Sequence, residues 1–240
     1  MEKTTVVINP IAVMKRYELK YIITKEQEVF LKRRLRGHLY VDEFGKTSIA
    51  SLYYDTPDYK FIRMSNEKPM FKEKLRLRSY GIADDNSPVF LELKRKAYGI
   101  VYKRRIKSTI PEIEDLLDGE TEGFGDNQIS RELSYFVTQN PNLVPACLII
   151  YDRTAYYEPN GDLRLTIDNK PRFRMDELDL RVSMDGEPLL PEGYSILEVK
   201  VQGAMPLWLS GILDEGRIFK SSFSKYGEAY NRLLTGSIRR

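Results

Sequence analysis

The sequence predicts an α+β protein: an eight-stranded antiparallel β-barrel with a charged lumen and helices packed outside. Three observations carry this expectation. Six stretches place charged residues two apart between apolar ones, namely Arg16 to Lys20, Lys74 to Arg78, Glu92 to Lys96, Lys103 to Lys107, Arg164 to Asp168 and Glu198 to Gln202. Alternate side chains of a strand point to opposite faces, so each stretch has a charged face and, in most, a face of Leu, Ile or Val. Short loops join several of these strands and force antiparallel neighbours. Helical segments lie among them, so Leu75, Leu77, Leu91, Leu93, Leu163, Leu165, Leu197 and Val199 have apolar partners outside the sheet and the charges turn inward. One such stretch alone reads as the wet face of an open sheet. Six of them, enriched in Arg and in Glu-x-Lys pairs, read as the lining of a tunnel.

The first strand is expected near Lys15 to Ile23. Thr24 and Gln27 make a capping box that starts a helix through Glu28, Phe30, Leu31 and Leu35, which Gly37 ends. A second strand, Thr47 to Asp55, closes on the turn signal Asp55 to Asp58, and a helical turn follows through Tyr59 to Met64. Strands three to five form a meander over Lys72 to Tyr80, Pro88 to Lys96 and Ile100 to Lys107. Ile113, Leu116 and Leu117, then Ile129, Leu133, Phe136 and Val137, recur at helical spacing and predict two helices joined by Gly119 to Gly125. Strand six runs from Ala146 to Glu158 and turns at Asn160-Gly161 into strand seven, Leu163 to Asp168; strand eight is Ser195 to Gln202. Two helices end the chain, Pro206 to Leu213 and Lys225 to Leu234, the second with Tyr226, Tyr230, Leu233 and Leu234 on one side. Eight strands of this length suffice to close a small barrel.

Composition agrees with a folded, enzyme-sized unit. The chain has 240 residues, 42% hydrophobic and 30% charged, which excludes a disordered or fibrous chain, and residues 1–240 read as one domain. Net charge is only +3, yet Lys72 to Lys107 holds eleven Lys and Arg against Glu73, Asp84, Asp85 and Glu92. Basicity that local favours a defined anion site over general stickiness. Cys147 stands alone in an apolar run, so it reads as a buried structural thiol in a reducing compartment. The start lacks the apolar region of a signal peptide and no apolar run approaches about 18 residues, so a cytoplasmic chain is expected. The single histidine, His38, lies in the basic turn after the first helix and reads as a surface residue.

A lumen of guanidinium and ammonium groups with a few acids suits a polyanion held with a divalent metal. Phosphoryl transfer spreads charge over phosphate oxygens, so placed cations and a metal supply most of its catalysis without a protein nucleophile. The absence of a Walker A loop and of a Ser-His-Asp or Cys-His set therefore counts little against an enzyme.

The motifs Arg16 to Tyr21, Ser51 to Pro57, Lys74 to Tyr80, Phe90 to Lys94, Tyr151 to Arg153, Leu197 to Lys200 and Phe223 to Tyr226 resemble, in order, the polyphosphate polymerase domain of the vacuolar transporter chaperone family in its bacterial form, within the triphosphate tunnel metalloenzymes. The resemblance implies a tunnel barrel that binds ATP and inorganic polyphosphate with Mn²⁺ or Mg²⁺. It makes Lys20, Arg76, Arg78, Lys94 and Lys200 the catalytic cations and Arg153 and Arg164 further phosphate ligands, with Lys103 a less certain member. Tyr151 would hydrogen-bond a phosphate, and Ser224 and Lys225 would meet the triphosphate at the start of the last helix. Glu198 matches the metal ligand; Glu18, Glu92 and Asp168 share its face by parity and rank below it, as ligands or as counter-ions. Hydrolases and cyclases of this fold open with Glu-x-Glu-x-Lys, whereas this chain has Arg16-x-Glu18-x-Lys20. A cation in place of the first acid favours a tunnel that holds a long anionic product. The fungal members carry an N-terminal helical domain and a membrane segment that are not read here, so regulation or translocation would fall to a membrane-protein partner at the inner face of the membrane.

The leading expectation is therefore transfer of the terminal phosphate of ATP to a growing polyphosphate chain. Hydrolysis of a nucleoside or inorganic triphosphate is the second enzymatic reading, and a binding module without turnover is the third. Nucleic acid is not expected as a partner: Tyr80, Tyr98 and Tyr102 read as packing at the barrel ends, and no recognition motif accompanies them.

Overall fold

The computed structural model describes residues 17–67, 69–98, 100–120 and 124–236. Lys15 and Arg16 lie outside them, so the start expected for the first strand, and the cation set against the first acid of the hydrolases, fall outside the described residues. Gly99, and residues 121–123 of the expected helix link, also lie outside.

The elements run β1 (Tyr17–Thr24), α1 (Lys25–Arg34), β2 (Tyr40–Asp55), α2 (Lys60–Asn66), β3 (Phe71–Tyr80), β4 (Val89–Ala97), β5 (Ile100–Ser108), α3 (Ile110–Leu117), α4 (Gln128–Thr138), β6 (Val144–Tyr157), β7 (Arg164–Arg174), β8 (Glu187–Pro188), β9 (Tyr194–Val201), α5 (Leu207–Glu215), β10 (Lys220–Ser221) and α6 (Lys225–Leu234). The Thr24–Gln27 capping box forms as expected, and a second one, Thr109 with Glu112, starts α3.

All pairings among the described residues are antiparallel, in the order β10-β1-β9-β7-β6-β2-β3-β4-β5, with β8 alongside β7. Eight of the strands are long, which matches the expected count. Closure does not match: β5 has no backbone partner on its outer side among the described residues, so the sheet is open where an eight-stranded barrel was expected. The free edge of β1 is taken by β10, with Lys20 opposite Ser221, and is not available to β5 there. Edge strand β5 is rich in Lys and Arg, a charge pattern that blunts strand edges against further pairing.

The open sheet is nevertheless rolled. β1 and β4 stand six places apart in strand order, which in a flat sheet separates them by roughly 29 Å. Yet Lys94 Nζ on β4 lies 3.2 Å from Glu18 Oε2 on β1. Side chains, not backbone ladders, span the seam.

Cross-strand register keeps the faces apart. Leu75 is opposite Leu93 and Leu77 opposite Leu91, while Lys74 is opposite Lys94 and Arg76 opposite Glu92. On the convex side, Leu75, Leu77, Leu91 and Leu93 pack beneath Ile113 and Leu116 of α3 and Leu133 and Phe136 of α4. Leu165, Ile167, Leu197 and Val199 pack beneath Leu31 of α1 and Leu209 and Ile212 of α5. Each of these fully buried aliphatic side chains stabilises the fold by about 2 kcal/mol. Cys147 is fully buried, as expected, and desolvation raises its thiol pKa well above the ordinary value.

Two helices depart from the expected outer layer. α6 packs on the concave side: Tyr226 stacks on Tyr53 at 4.8 Å between ring centres, and Tyr226 and Tyr230 share a cluster with Ile49, Ile149, Tyr151 and Ile62 of α2. The buried Asp55 carboxylate fixes this arrangement. It accepts from the amides of Phe61 and Ile62 at 2.8 and 3.0 Å, capping α2, and from Tyr226 Oη at 2.9 Å. The reason is compositional: the apolar stripe of α6 is tyrosine-rich, and tyrosine can bury a ring while its hydroxyl meets a polar group.

Candidate functional site

The concave face surrounds a cavity of about 470 Å³ lined by ten Lys and Arg side chains and two carboxylates, Glu18 and Glu198. Among the residues expected at the site, Lys20, Arg76, Arg78, Lys94, Lys103, Tyr151, Arg153, Lys200, Ser224 and Lys225 all line it. Glu92 and Asp168 lie just behind the lining, almost fully buried, beneath the cations they bind. Arg164 is the exception. It is opposite Lys200 on the expected face, but it is exposed at the end of the sheet, where its guanidinium bonds the Leu163 carbonyl at 3.2 Å and lies over the Tyr157 ring.

The charges form two clusters. On the β3–β4–β5 side, Glu92 carries four cations: Arg76 at 2.7 Å, Lys103 at 2.7 Å, Arg105 at 3.5 Å and Arg78 at 3.8 Å. Burial opposes ionisation of Glu92, and Arg76, Arg78 and Lys103 outweigh it, so its pKa falls well below the carboxylate range. The Lys103 amine is pushed down to about 8 by desolvation, against the pull of Glu92. Arg76 Nη1 donates to Tyr53 Oη at 3.0 Å, and Arg78 Nη2 to Tyr151 Oη at 3.3 Å, so tyrosines hold both guanidiniums from the floor.

On the β1–β9–β7–β6 side the acids are more numerous. Asp168 is fully buried and makes a bidentate pair with Arg153 at 2.6 and 2.8 Å, while Lys225 Nζ lies over the Tyr151 ring and reaches the same carboxylate. Glu198 meets Lys200 at 3.0 Å, Lys20 at 3.4 Å, Arg153 at 3.4 Å and Lys225 at 3.6 Å. Desolvation raises its pKa, and these cations, Lys200 first, carry it well below the ordinary value. Glu18 behaves alike: burial raises it, and Lys94, Lys20 and Lys200 bring it to about 2 although Glu198 repels it.

These acids differ in their fitness for a metal. Asp168 and Glu92 are paired with cations behind the lining, whereas Glu198, although it too meets four cations, reaches the cavity as Glu18 does. Glu18 and Glu198 line the cavity and both pair with Lys20 Nζ, at 3.5 and 3.4 Å, so two carboxylates face the cavity on either side of one ammonium. Mg²⁺ and similar hard ions take one or two carboxylates with waters and phosphate oxygens. The pair fits such an ion. No group of three or more His, Cys, Asp or Glu suited to a metal occurs among the described residues, so phosphate and water would complete the shell.

Six lining residues were not among the expected set: Tyr53, Lys74, Val101, Tyr102, Arg104 and Tyr226. Lys74 shares the parity of Arg76 and Arg78, so the alternation that exposed its neighbours also marks it. Arg104 lines the cavity although register turns it outward toward Glu132. Tyr53 and Tyr226 carry no charge signal; Tyr53 faces the cavity because register sets it opposite Arg76, and Tyr226 gains its place through the packing of α6. The expected surface residue His38 is exposed and stacks on Trp208 at 4.2 Å.

Fold and cavity together define a class: a rolled antiparallel sheet whose concave face is a basic chamber. The same fold occurs in a candidate adenylate cyclase from Bacillus halodurans, at 16% identity and a TM-score of 0.53 over 88% of this chain and 96% of that one. It occurs also in a Hippeastrum protein described as an adenylyl cyclase candidate with a dominant triphosphatase activity, at 16% identity and a TM-score of 0.50 over 91% of this chain and 95% of that one. The model of the VTC domain matches residues 15–234, and the chain belongs to that family. Among curated proteins it is similar to vacuolar transporter chaperone complex subunit 4 of Schizosaccharomyces pombe, at 26% identity over 83% of this chain. The chain spans about a third of that relative's length, 34%. No described helix is long and apolar enough to cross a membrane.

Proposed function

We propose that this chain is a metal-dependent polyphosphate polymerase that transfers the terminal phosphate of ATP to a growing polyphosphate chain inside the basic cavity. The observation that carries the reading is the lining: ten cations around about 470 Å³, with carboxylates spaced among them, in a member of the VTC domain family. An oxygen of the polyphosphate end attacks the γ-phosphorus, a new P–O–P bond forms, the bond to the bridging oxygen breaks, and ADP leaves. Arg76, Arg78, Lys94 and Lys103 on one wall, with Lys20, Arg153, Lys200 and Lys225 on the other, orient the triphosphate and spread positive charge over the transferring group. Tyr151 and Ser224 add neutral hydrogen bonds. Glu18 and Glu198 hold Mn²⁺ or Mg²⁺, and a bound ion would neutralise charge developing on the phosphate oxygens. The domain works in the cytoplasm, and translocation of the product falls to a membrane-protein partner.

Incubating the purified protein with ATP and Mn²⁺ and sizing the product on a gel tests the reading. A ladder of lengthening polyphosphate is expected. Release of free phosphate alone would favour the second reading, a triphosphatase of the same fold, which the paired carboxylates Glu18 and Glu198 also suit.

A further inference from the structure

Of the ten cations lining the cavity, nine have a carboxylate oxygen within 4.0 Å; among the described residues Lys74 has none. Its Nζ donates instead to Ser224 Oγ at 3.3 Å and lies 5.9 Å from the centre of the Tyr226 ring. Ser224 Oγ accepts in addition from the Gly227 amide at 3.1 Å, which caps α6. With its lone pairs so engaged, the serine hydroxyl proton is left to be donated outward. The first-turn amides of Lys225 and Tyr226 have no acceptor within the helix. A lysine amine, a hydroxyl and a helix N-terminus thus meet at one end of the cavity, and every one of them donates. The partner that such a set lacks is an anion.

The surroundings sharpen this. Lys72 and Arg76 flank Lys74 on its own strand, Lys94 faces it from β4, and Lys20 from β1. On the α6 side it meets Ser224 and Tyr226, and the neighbouring Lys225 is turned to Asp168. The acids of the adjoining strands are already engaged, Glu18 by Lys20 and Lys94, and Glu92 by Arg76 and Lys103. Desolvation and then the four cations push the Lys74 amine down to about 7. A phosphate seated beside it would reverse that repulsion and bring the proton back.

We propose that Lys74, with Ser224 and the first turn of α6, receives the end phosphate of the chain held in the cavity, and that this binding takes up a proton from solvent. The inference deepens the polymerase reading and rests on it. It assigns the α6 end of the cavity to the phosphate terminus and makes Lys74 a residue through which pH governs occupancy, apart from Lys103, whose titration is common to wild type and the Lys74 variants. The proton balance is simple: neutral amine plus one proton gives the ammonium that pairs with the phosphate oxygen.

Calorimetric titration with tripolyphosphate at pH 8, in three buffers of different ionisation enthalpy, tests it. Wild type should take up roughly 0.9 proton more per ligand than Lys74→Arg, which keeps the charge but does not titrate in this range. Relative to Lys74→Arg, wild-type affinity should fall nearly tenfold per pH unit well above pH 7. Lys74→Met should bind on the order of tenfold more weakly than wild type at pH 6.5. Tight binding with equal proton uptake in wild type and Lys74→Arg overturns this inference and leaves the anion cavity standing, as does Lys74→Met binding like wild type at pH 6.5. Absence of tripolyphosphate binding by the wild type at any pH overturns the cavity reading itself, and this inference with it.

Discussion

The two walls of the cavity use opposite charge designs. On the β3–β4–β5 wall one acid, Glu92, serves Arg76, Arg78, Lys103 and Arg105, while Lys74 has no acid and Lys94 reaches across to Glu18. On the β1–β9–β7–β6 wall three acids, Glu18, Glu198 and Asp168, stand among Lys20, Arg153, Lys200 and Lys225. The first wall is short of negative charge and waits for an anion. The second is nearly balanced, and two of its carboxylates, Glu18 and Glu198, face the cavity beside Lys20. In the proposed polymerase, one rolled sheet would separate phosphate binding from metal binding simply by which strands carry the acids.

Removing the lone acid of the cationic wall should have the largest effect on stability. Glu92→Gln leaves four cations facing one another in a buried place, and breaking a buried ion pair by deleting one partner costs about 3 to 5 kcal/mol. Urea denaturation should show that loss, and tripolyphosphate should restore more stability to the variant than it adds to wild type. Acid should act on both walls at once. Glu18, at about 2, and Glu92, Glu198 and Asp168, shifted lower than free carboxylates, bind protons less readily folded than unfolded. Their contribution is complete above about pH 4.5 and is lost as pH falls toward 2, because the unfolded state then binds more protons. A melting temperature that stays level from pH 5 to pH 2.5 would contradict the ion-pair account of both walls.

Next comes the balanced wall. Glu198→Gln deletes one of the two cavity-facing carboxylates and a charge that repels phosphate, so turnover with ATP and Mn²⁺ should drop on the order of 100-fold or more while tripolyphosphate binding survives or tightens. Full turnover in this variant would refute the metal assignment. Lys200→Ala should weaken tripolyphosphate binding by about 1.5 to 3 kcal/mol, the range for a charged hydrogen bond. Smallest of all is Arg164→Ala. Its exposed guanidinium lies outside the cavity, so affinity should change by less than about 0.5 kcal/mol, and a larger loss would mean that the anion extends to the end of β7.

Strand alternation made most of this site legible. Arg76, Arg78, Glu92, Lys94, Glu198 and Lys200 follow from parity alone, because a strand fixes the face on which each side chain lies. Parity gives the face and not the depth, which is why Arg164 was grouped with residues that reach the cavity. The open seam was not legible either, since closure depends on whether two edges meet and no local pattern encodes that. β7 runs on to Arg174, past its expected end at Asp168, because a bulge opposite Tyr151 accommodates Pro171. β2 begins at Tyr40, seven residues before its expected start, across an irregular register between Val41 and Lys46 that breaks the alternation. The tyrosine floor and the concave seat of α6 depend on Asp55, whose contacts span 171 residues of chain to Tyr226.

A crystal structure with tripolyphosphate and Mn²⁺, in which anomalous scattering locates the ion, tests the division between the walls most directly. The account predicts phosphates against Lys74, Arg76, Arg78, Lys94 and Lys103, and the ion between Glu18 and Glu198. An ion held by Glu92 or Asp168, or an anion seated outside the cavity, would contradict it.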